Sequence, residues 1–248
     1  MSLVIGIDLG SRTTKIVEYT GSKLQNFEIF DTRHDPLTAI KRSLQARPEA
    51  AIVATGYGRH LLRKELGAEV LTEIKACAKG VRALLPEART ILDVGGQDCK
   101  VIHLDKSGRV ADFEMNDRCA AGTGKFLEVM AQTFDSDMDS FADLACSAEQ
   151  PVSINSMCTV FAESEVISLI TSGRPKNQIA LGLHSAVADR LCAMLRKFPL
   201  QDPIVFVGGG ARNQCLHRLL EQKIEANLWR PQDPQLVTAC GAALLAKR

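Results

Sequence analysis

The sequence predicts an α/β protein made of two related domains with a cleft between them. Three observations carry that prediction. A three-strand meander opens each half of the chain, over residues 3–31 and again over 90–115. In each meander an aspartate near the end of the first strand precedes a glycine, in "GIDLG" and in "LDVGG". Apolar runs ending in glycine alternate with helical patterns, as layered sheets and helices require. No low-complexity linker separates the halves, so the hinge is expected in helices.

The elements run in order along the chain. "LVIGIDLG" is an apolar run ending at Gly10, and "TTKIVEYT" and "KLQNFEIFDT" are two further extended stretches. The short polar links "SR" and "GS" fit a meander. Pro36 opens a helix through Gln45, "AAIVATG" is a buried strand ending at Gly56, and "LTEIKACAKGVRALLP" is a helix stopped by Pro86. The pattern then restarts. "TILDVGGQDCKVIHLDKSGRVADFEMND" holds a strand, a glycine loop, a strand, the hairpin signal "DKSG" and a third strand. Helices run on to Lys197 with a break at "SGRP". "DPIVFVGGGARN" is another buried strand ending in glycines, and "PQLVTACGAALLAK" closes the chain as a small-residue helix. The expected division is residues 1–88, completed by a C-terminal helix over 235–248, and residues 89–234.

The bulk properties narrow the function. A chain of 248 residues, 46% hydrophobic and 24% charged, buries one large core or two modest ones. A net charge of +1 argues against a nucleic-acid-coating surface, and 5% aromatics against a base-stacking platform. No apolar run approaches the ~20 residues that cross a bilayer. "MSLVIGIDLG" lacks a charged leader and a cleavage site. The expectation is a cytoplasmic protein with no nucleic-acid or membrane partner.

Three loops suit a nucleotide. In "DLGSRTTK", Gly10 lets the backbone approach a ligand closely, Ser11, Thr13 and Thr14 offer hydroxyls, and Arg12 and Lys15 carry positive charge. "DVGGQD" repeats the idea with Gly95 and Gly96 between two carboxylates. Asp8 and Asp93 are expected to face each other across the cleft and to hold Mg²⁺, which takes one or two carboxylates along with phosphate oxygens and water. Gln97 is the candidate to orient an attacking water. In "VGGGARN", Gly208, Gly209 and Gly210 would pass beneath an adenine, with Asn213 closing the loop. A lone glycine loop is more often a tight strand turn. Three in this order, with paired aspartates, are more specific. Neither the G-x-x-x-x-G-K-[ST] pattern nor G-x-G-x-x-G is present.

The eight cysteines contain no C-x-x-C pair, which removes zinc-ribbon and thioredoxin readings. Two stand out. "NDRCAAGTGKF" and "SMCTVFAESEVISL" each place a cysteine, Cys119 and Cys158, shortly before an amphipathic run. A thiol at a helix N-terminus sees partial positive charge, which favours thiolate. Thiolate ligates iron–sulfur clusters, a cubane takes four, and a two-fold dimer of this chain would supply four. A packed thiol, a disulfide between the two, and a zinc site remain alternatives at this point. Gly122, Thr123 and Gly124 lead from Cys119 into a helix expected to border the cleft, and Glu163 is a further candidate beside it. Cys77, Cys146, Cys192, Cys215 and Cys240 read as packing residues. His103, His184 and His217 have no metal-ligand partner four residues on, and Asp112, Glu114 and Asp117 read as a solvated edge.

The loop order resembles that of the actin/hexokinase/heat-shock-70 ATPase superfamily. "GIDLGSRTTK" is similar to its first phosphate loop, "LDVGGQD" to its second and "VFVGGGARN" to its adenosine loop. The resemblance implies two ribonuclease-H-like (actin-like ATPase) domains closing on Mg-ATP, with ADP as product. "NDRCAAGTGKFLE", "SMCTVFAESEV", "ATGYGR" and "GGQD" further resemble the BadF/BadG-type family of ATP-dependent activators of 2-hydroxyacyl-CoA dehydratases. That resemblance implies a homodimer bridging one [4Fe–4S] cluster through Cys119 and Cys158 of each subunit. It also implies a ferredoxin or flavodoxin as electron source and a dehydratase or related double-cubane protein as acceptor. A benzoyl-CoA reductase-type ATPase subunit is the nearest alternative. A small-molecule kinase, with Asp117 as its base, and a non-enzymatic actin-like sensor module are the others. Cys99 departs from the family pattern, where a small hydroxyl residue is expected.

Overall fold

The computed structural model describes residues 3–155 and 158–246. These divide into two compact units. The first takes the described residues up to Arg89, Leu104–Asp112 and those from Pro231 onward. It contains β1 (Leu3–Leu9), β2 (Thr13–Thr20), β3 (Lys23–Asp31), α1 (Pro36–Leu44), β4 (Ala51–Thr55), α2 (Arg59–Leu66), β5 (Glu69–Val70) and α3 (Glu73–Leu84), and the last helix of the chain, α9 (Val237–Leu244). The strands form one sheet in the order β3-β2-β1-β4-β5.

The local chemistry explains these elements. β1 sits mid-sheet and is covered on both faces, so it is a continuous apolar run, not an alternating one. Asp35 caps α1 by accepting from the Thr38 N–H at 3.1 Å, and Pro36 fills the first turn, where no N–H is needed. One face of the sheet packs Ile5, Ile7 and Ile16 against Ile40 and Leu62 of α1 and α2. The other packs against α9, which also crosses α3. That crossing is close: a Cβ on Gly241 would lie 1.8 Å from the carbonyl oxygen of Ala76. The small residues of "VTACGAAL" are what permit it.

The second unit takes Thr90–His103 and Phe113–Arg230. Its elements are β6 (Thr90–Val94), β7 (Cys99–Leu104), β8 (Val110–Asn116), α4 (Gly124–Thr133), α5 (Met138–Cys146), α6 (Thr159–Thr171), α7 (Lys176–Leu195), β9 (Ile204–Val207), α8 (Gln214–Ile224) and β10 (Leu228–Trp229). The second sheet runs β10-β9-β6-β7-β8. Leu92, Val94 and Val101 meet Phe126, Phe141, Leu191 and Leu216 in one large core.

The two sheets share a plan. In each, the strand bearing the aspartate pairs antiparallel with the next strand and parallel with a later one: β1 with β2 and β4, β6 with β7 and β9. α2 lies where the residue pattern announces no helix, whereas α8 falls where Cys215 and His217 sit in a helical pattern. α2 is "RHLLRKEL", with only Leu62 buried among charged neighbours, and α8 is "QCLHRLLEQKI", which buries four residues. Both are short amphipathic segments whose helicity comes from packing. Among the described residues no helix is long and apolar enough to cross a membrane.

Candidate functional site

Each sheet ends its central strand with the same device. Asp8 stands opposite Lys15 across the β1–β2 ladder, and Asp93 opposite Lys100 across β6–β7. The hairpins match in length: Leu9 faces Thr14, and Val94 faces Cys99. Gly10, Ser11, Arg12 and Thr13 therefore correspond to Gly95, Gly96, Gln97 and Asp98. The Lys15 ammonium lies 3.0 Å from the Asp8 carboxylate, and that of Lys100 lies 2.8 Å from Asp98 and 3.8 Å from Asp93. Asp8 and Asp93 are nearly buried, at 8% and 7% exposure, while Gln97 is exposed at its hairpin tip.

The parallel neighbours add a second matched feature. Thr55 pairs with Asp8 and Val207 with Asp93, and the next residue is glycine in both cases. Gly56 has φ +90° and Gly208 φ +84°. A Cβ would lie 2.6 Å from Asp8 Oδ1 in one and 2.5 Å from Asp93 Oδ1 in the other. Glycine takes this backbone without strain and leaves the carboxylate in place. A 3-10 turn over Gly209–Arg212 comes next, then α8.

Several candidate side chains are committed elsewhere. Thr14 is fully buried and its hydroxyl bonds that of Thr32 at 2.8 Å. Successive strand residues face opposite sides, so Thr13 and Thr14 do not share the loop's open face, and Thr14 is a packing residue. Arg12 pairs with Asp31 at 2.9 Å. Asn213 caps α8: its side chain accepts from the Leu216 N–H at 2.9 Å and donates to His184 Nε2 at 3.0 Å. His184 Nδ1 is 2.8 Å from the Ala180 carbonyl, which can only accept, so Nδ1 carries the proton and Nε2 receives the Asn213 amide. Burial pulls His184 down to about 4, so the ring stays neutral.

Cys119 and Cys158 are exposed, whereas the other six cysteines are buried or half-buried. Cys158 is the N-cap of α6. Cys119 is not at a helix end. The Thr123 N–H and hydroxyl both donate to the Ala120 carbonyl, at 2.9 and 2.7 Å, and this turn delays the start of α4 to Gly124. Asn116 clamps the same turn, donating to the carbonyls of Cys119 at 3.0 Å and Ala121 at 3.2 Å. The first N–H groups of α4 then dock on the β6–β7 hairpin: Gly124 donates to Gly95 O at 3.0 Å and Lys125 to Gly96 O at 2.7 Å. α4 and α6 pack together, and Glu163 lies exposed on α6. Ser156 and Met157, part of the second cysteine stretch, lie outside the described residues. Cys99 occupies the place of Thr14 and is wholly buried, 3.5 Å from Met194 Sδ. Burial pushes its thiol up to about 11, so it packs as an inert thiol.

A model of the BadF/BadG/BcrA/BcrD ATPase family matches residues 5–246. The chain belongs to that family. It is 43% identical over 195 residues to the 2-hydroxyisocaproyl-CoA dehydratase activator of Clostridioides difficile, across 79% of this chain and 73% of that one. It is 38% identical to the activator of lactoyl-CoA dehydratase of Anaerotignum propionicum over 251 residues, 98% of this chain and 96% of the other. The structure of the activator of the 2-hydroxyisocaproyl-CoA dehydratase from Clostridium difficile with bound ADPNP superposes with a TM-score of 0.92 at 37% identity, covering 98% of this chain and 94% of that one. This BadF/BadG/BcrA/BcrD ATPase thus has the actin-like ATPase fold that the three loops led one to expect.

The family's groups can be tested against these residues. Asp8 and Asp93 are hard oxygen donors at the ends of buried strands, and Thr55, beside Asp8 in the parallel ladder, buries a hydroxyl with no hydrogen-bond partner among the described residues. Each unit by itself thus offers a carboxylate of the hard-oxygen type that Mg²⁺ takes. For a cubane, one chain offers two accessible thiols, and among the described residues no group of three or more His, Cys, Asp or Glu side chains gathers to hold a metal. A cubane, which takes four thiolates, would find only two accessible ones on a single chain. Asn116, His184, Gly56 and Lys100 carry structural roles at the site that residue type alone did not announce. The one legible signal was the lysine seven residues after the aspartate in both halves.

Proposed function

We propose that this ATPase is an ATP-dependent activator serving a 2-hydroxyacyl-CoA dehydratase-type partner. Two copies would pool Cys119 and Cys158 as the ligands of one [4Fe–4S] cluster. When bound, the cluster supplies a single low-potential electron, received from a ferredoxin or flavodoxin and passed to the acyl-CoA enzyme.

The chain's own residues divide the work. Lys15, the hydroxyls of Ser11 and Thr13, and the backbone N–H groups of the two hairpins hold phosphate oxygens. Asp8 and Asp93 take Mg²⁺, and Gln97 orients the attacking water. Gly208–Gly210 let the adenosine approach the backbone. Gly95 and Gly96 sense the phosphate and are bonded to the start of α4, so a shift of the hairpin is carried to the turn holding Cys119.

The observation that carries the reading is the exposure of Cys119 and Cys158 alone among eight cysteines. Anaerobic purification followed by iron and sulfide analysis tests it. About four irons per dimer are expected, lost in Cys119→Ala and in Cys158→Ala while ATP still binds. An iron-free dimer that still activates the partner enzyme would refute it.

A further inference from the structure

Lys100 is the best-buried lysine of the phosphate hairpins, with its side chain only 3% exposed against 13% for its counterpart Lys15. One of the differences between the matched hairpins bears directly on the lysine. Where the first has Thr13, whose carbonyl accepts from Lys15 at 3.3 Å, the second has Asp98, whose carboxylate accepts from Lys100 at 2.8 Å. Asp98 is itself held by the turn, its carbonyl accepting from the Gly95 N–H at 2.9 Å. Counting these groups, Asp8 against Lys15 is neutral, while Asp93 and Asp98 against Lys100 leave one negative charge. Two partly buried carboxylates with no cation between them would repel each other and draw in a divalent ion. Lys100 lies within 4 Å of both, where such an ion would otherwise be held.

We propose that Lys100 is a positioning residue that acts as a tethered cation: it occupies the charge well between Asp93 and Asp98, so that the divalent ion enters this ATPase with the nucleotide and not alone. Lys15, nearer the surface and facing one carboxylate, remains available to phosphate. The inference rests on the reading of Asp93 as a Mg²⁺ carboxylate, and deepens it. An ammonium cannot lose its place to a bare ion without breaking a part-buried ion pair. The nucleotide's own phosphates supply the extra anionic ligands that make the exchange favourable.

The test is nucleotide-free titration of the anaerobically prepared protein with Mn²⁺, reading the free-ion EPR signal, for wild type, Lys100→Met, Lys100→Gln and Lys100→Arg. Wild type and Lys100→Arg are expected to bind Mn²⁺ weakly and alike. The two neutral variants should bind one ion per chain at least about tenfold more tightly, as removal of a cation this close to two carboxylates implies. Affinities within about twofold of wild type, against that expected tenfold gain, would overturn the proposal. If a neutral variant is unfolded in chelator, recovery of its folded circular dichroism in Mn²⁺ supports the proposal, and failure to recover overturns it. Mg-ATP binding to wild type is measured separately. Its absence would sink the ATPase reading, while the nucleotide-free titration still decides the role of Lys100.

Discussion

The backbone N–H of Lys125 donates to the carbonyl of Gly96 at 2.7 Å, and this bond ties the β6–β7 hairpin to the helix behind Cys119. The neighbouring bond from Gly124 to Gly95 makes the attachment two-point. Each such bond is worth roughly 1 kcal/mol net, so an ångström-scale shift of the hairpin either moves the first turn of α4 or breaks both. Packed elements of this kind move between discrete arrangements.

Gly124 permits the attachment, since a Cβ there would sit 3.0 Å from Gly95 O. In Gly124→Ala the hairpin and α4 must separate by a few tenths of an ångström. Iron content and nucleotide affinity should stay near wild type. The effect of ATP on the rate at which a chelator removes iron should fall. An unchanged ATP effect on that rate would exclude this route of coupling.

Gln97 is exposed at the hairpin tip, so its truncation leaves the packed core intact. Gln97→Ala should therefore bind ATP as before and hydrolyse it more slowly, by about a hundredfold if water orientation is its task. Phosphate release and nucleotide affinity, measured on one preparation, separate the two effects.

Asn116 holds the Cys119 turn through two carbonyls. Removing that amide in Asn116→Ala should cost about 1–3 kcal/mol of turn order. Since the cysteine itself remains, the expected result is lower iron occupancy and faster bleaching in air, with ADP affinity unchanged by calorimetry. Full occupancy in the variant would make the clamp irrelevant to metal binding.

His184 makes the second unit sensitive to acid. Its folded-state value lies near 4, below the ordinary 6.5, so between these values the unfolded chain binds a proton that the native one does not. Stability from this group is complete above pH 6.5 and lost as pH falls towards 4, amounting to about 3 kcal/mol. Urea unfolding at pH 6.5 and 4.5 should show a smaller difference in His184→Gln than in wild type. Equal differences would assign the acid sensitivity to other groups.

The candidate residues of both units were picked out from the sequence, and particular positions show how. Asp8 and Asp93 announce themselves because each ends an apolar run and precedes glycine. Cys119 and Cys158 stand out from six other cysteines by the amphipathic runs after them, and exposure separates the same two. Thr14 was misleading because loop chemistry and strand alternation compete at the first residues of a strand, and alternation buried it. Cys119 was expected at a helix end, but the Ala120–Thr123 turn comes first, and a turn held by one threonine cannot be told from a cap by composition.

By itself, then, the sequence determined the α/β class, the doubled meander, the three glycine loops and the two unusual thiols. These depend on local periodicity and on residues whose backbone or chemistry has few alternatives. Tertiary structure alone decided that Lys100 serves two carboxylates, that His184 holds Asn213, and that Gly95 and Gly96 carry α4. Those relationships join positions 2 to 29 residues apart whose partners are set by strand register and helix packing, and neither is written in the residues that take part.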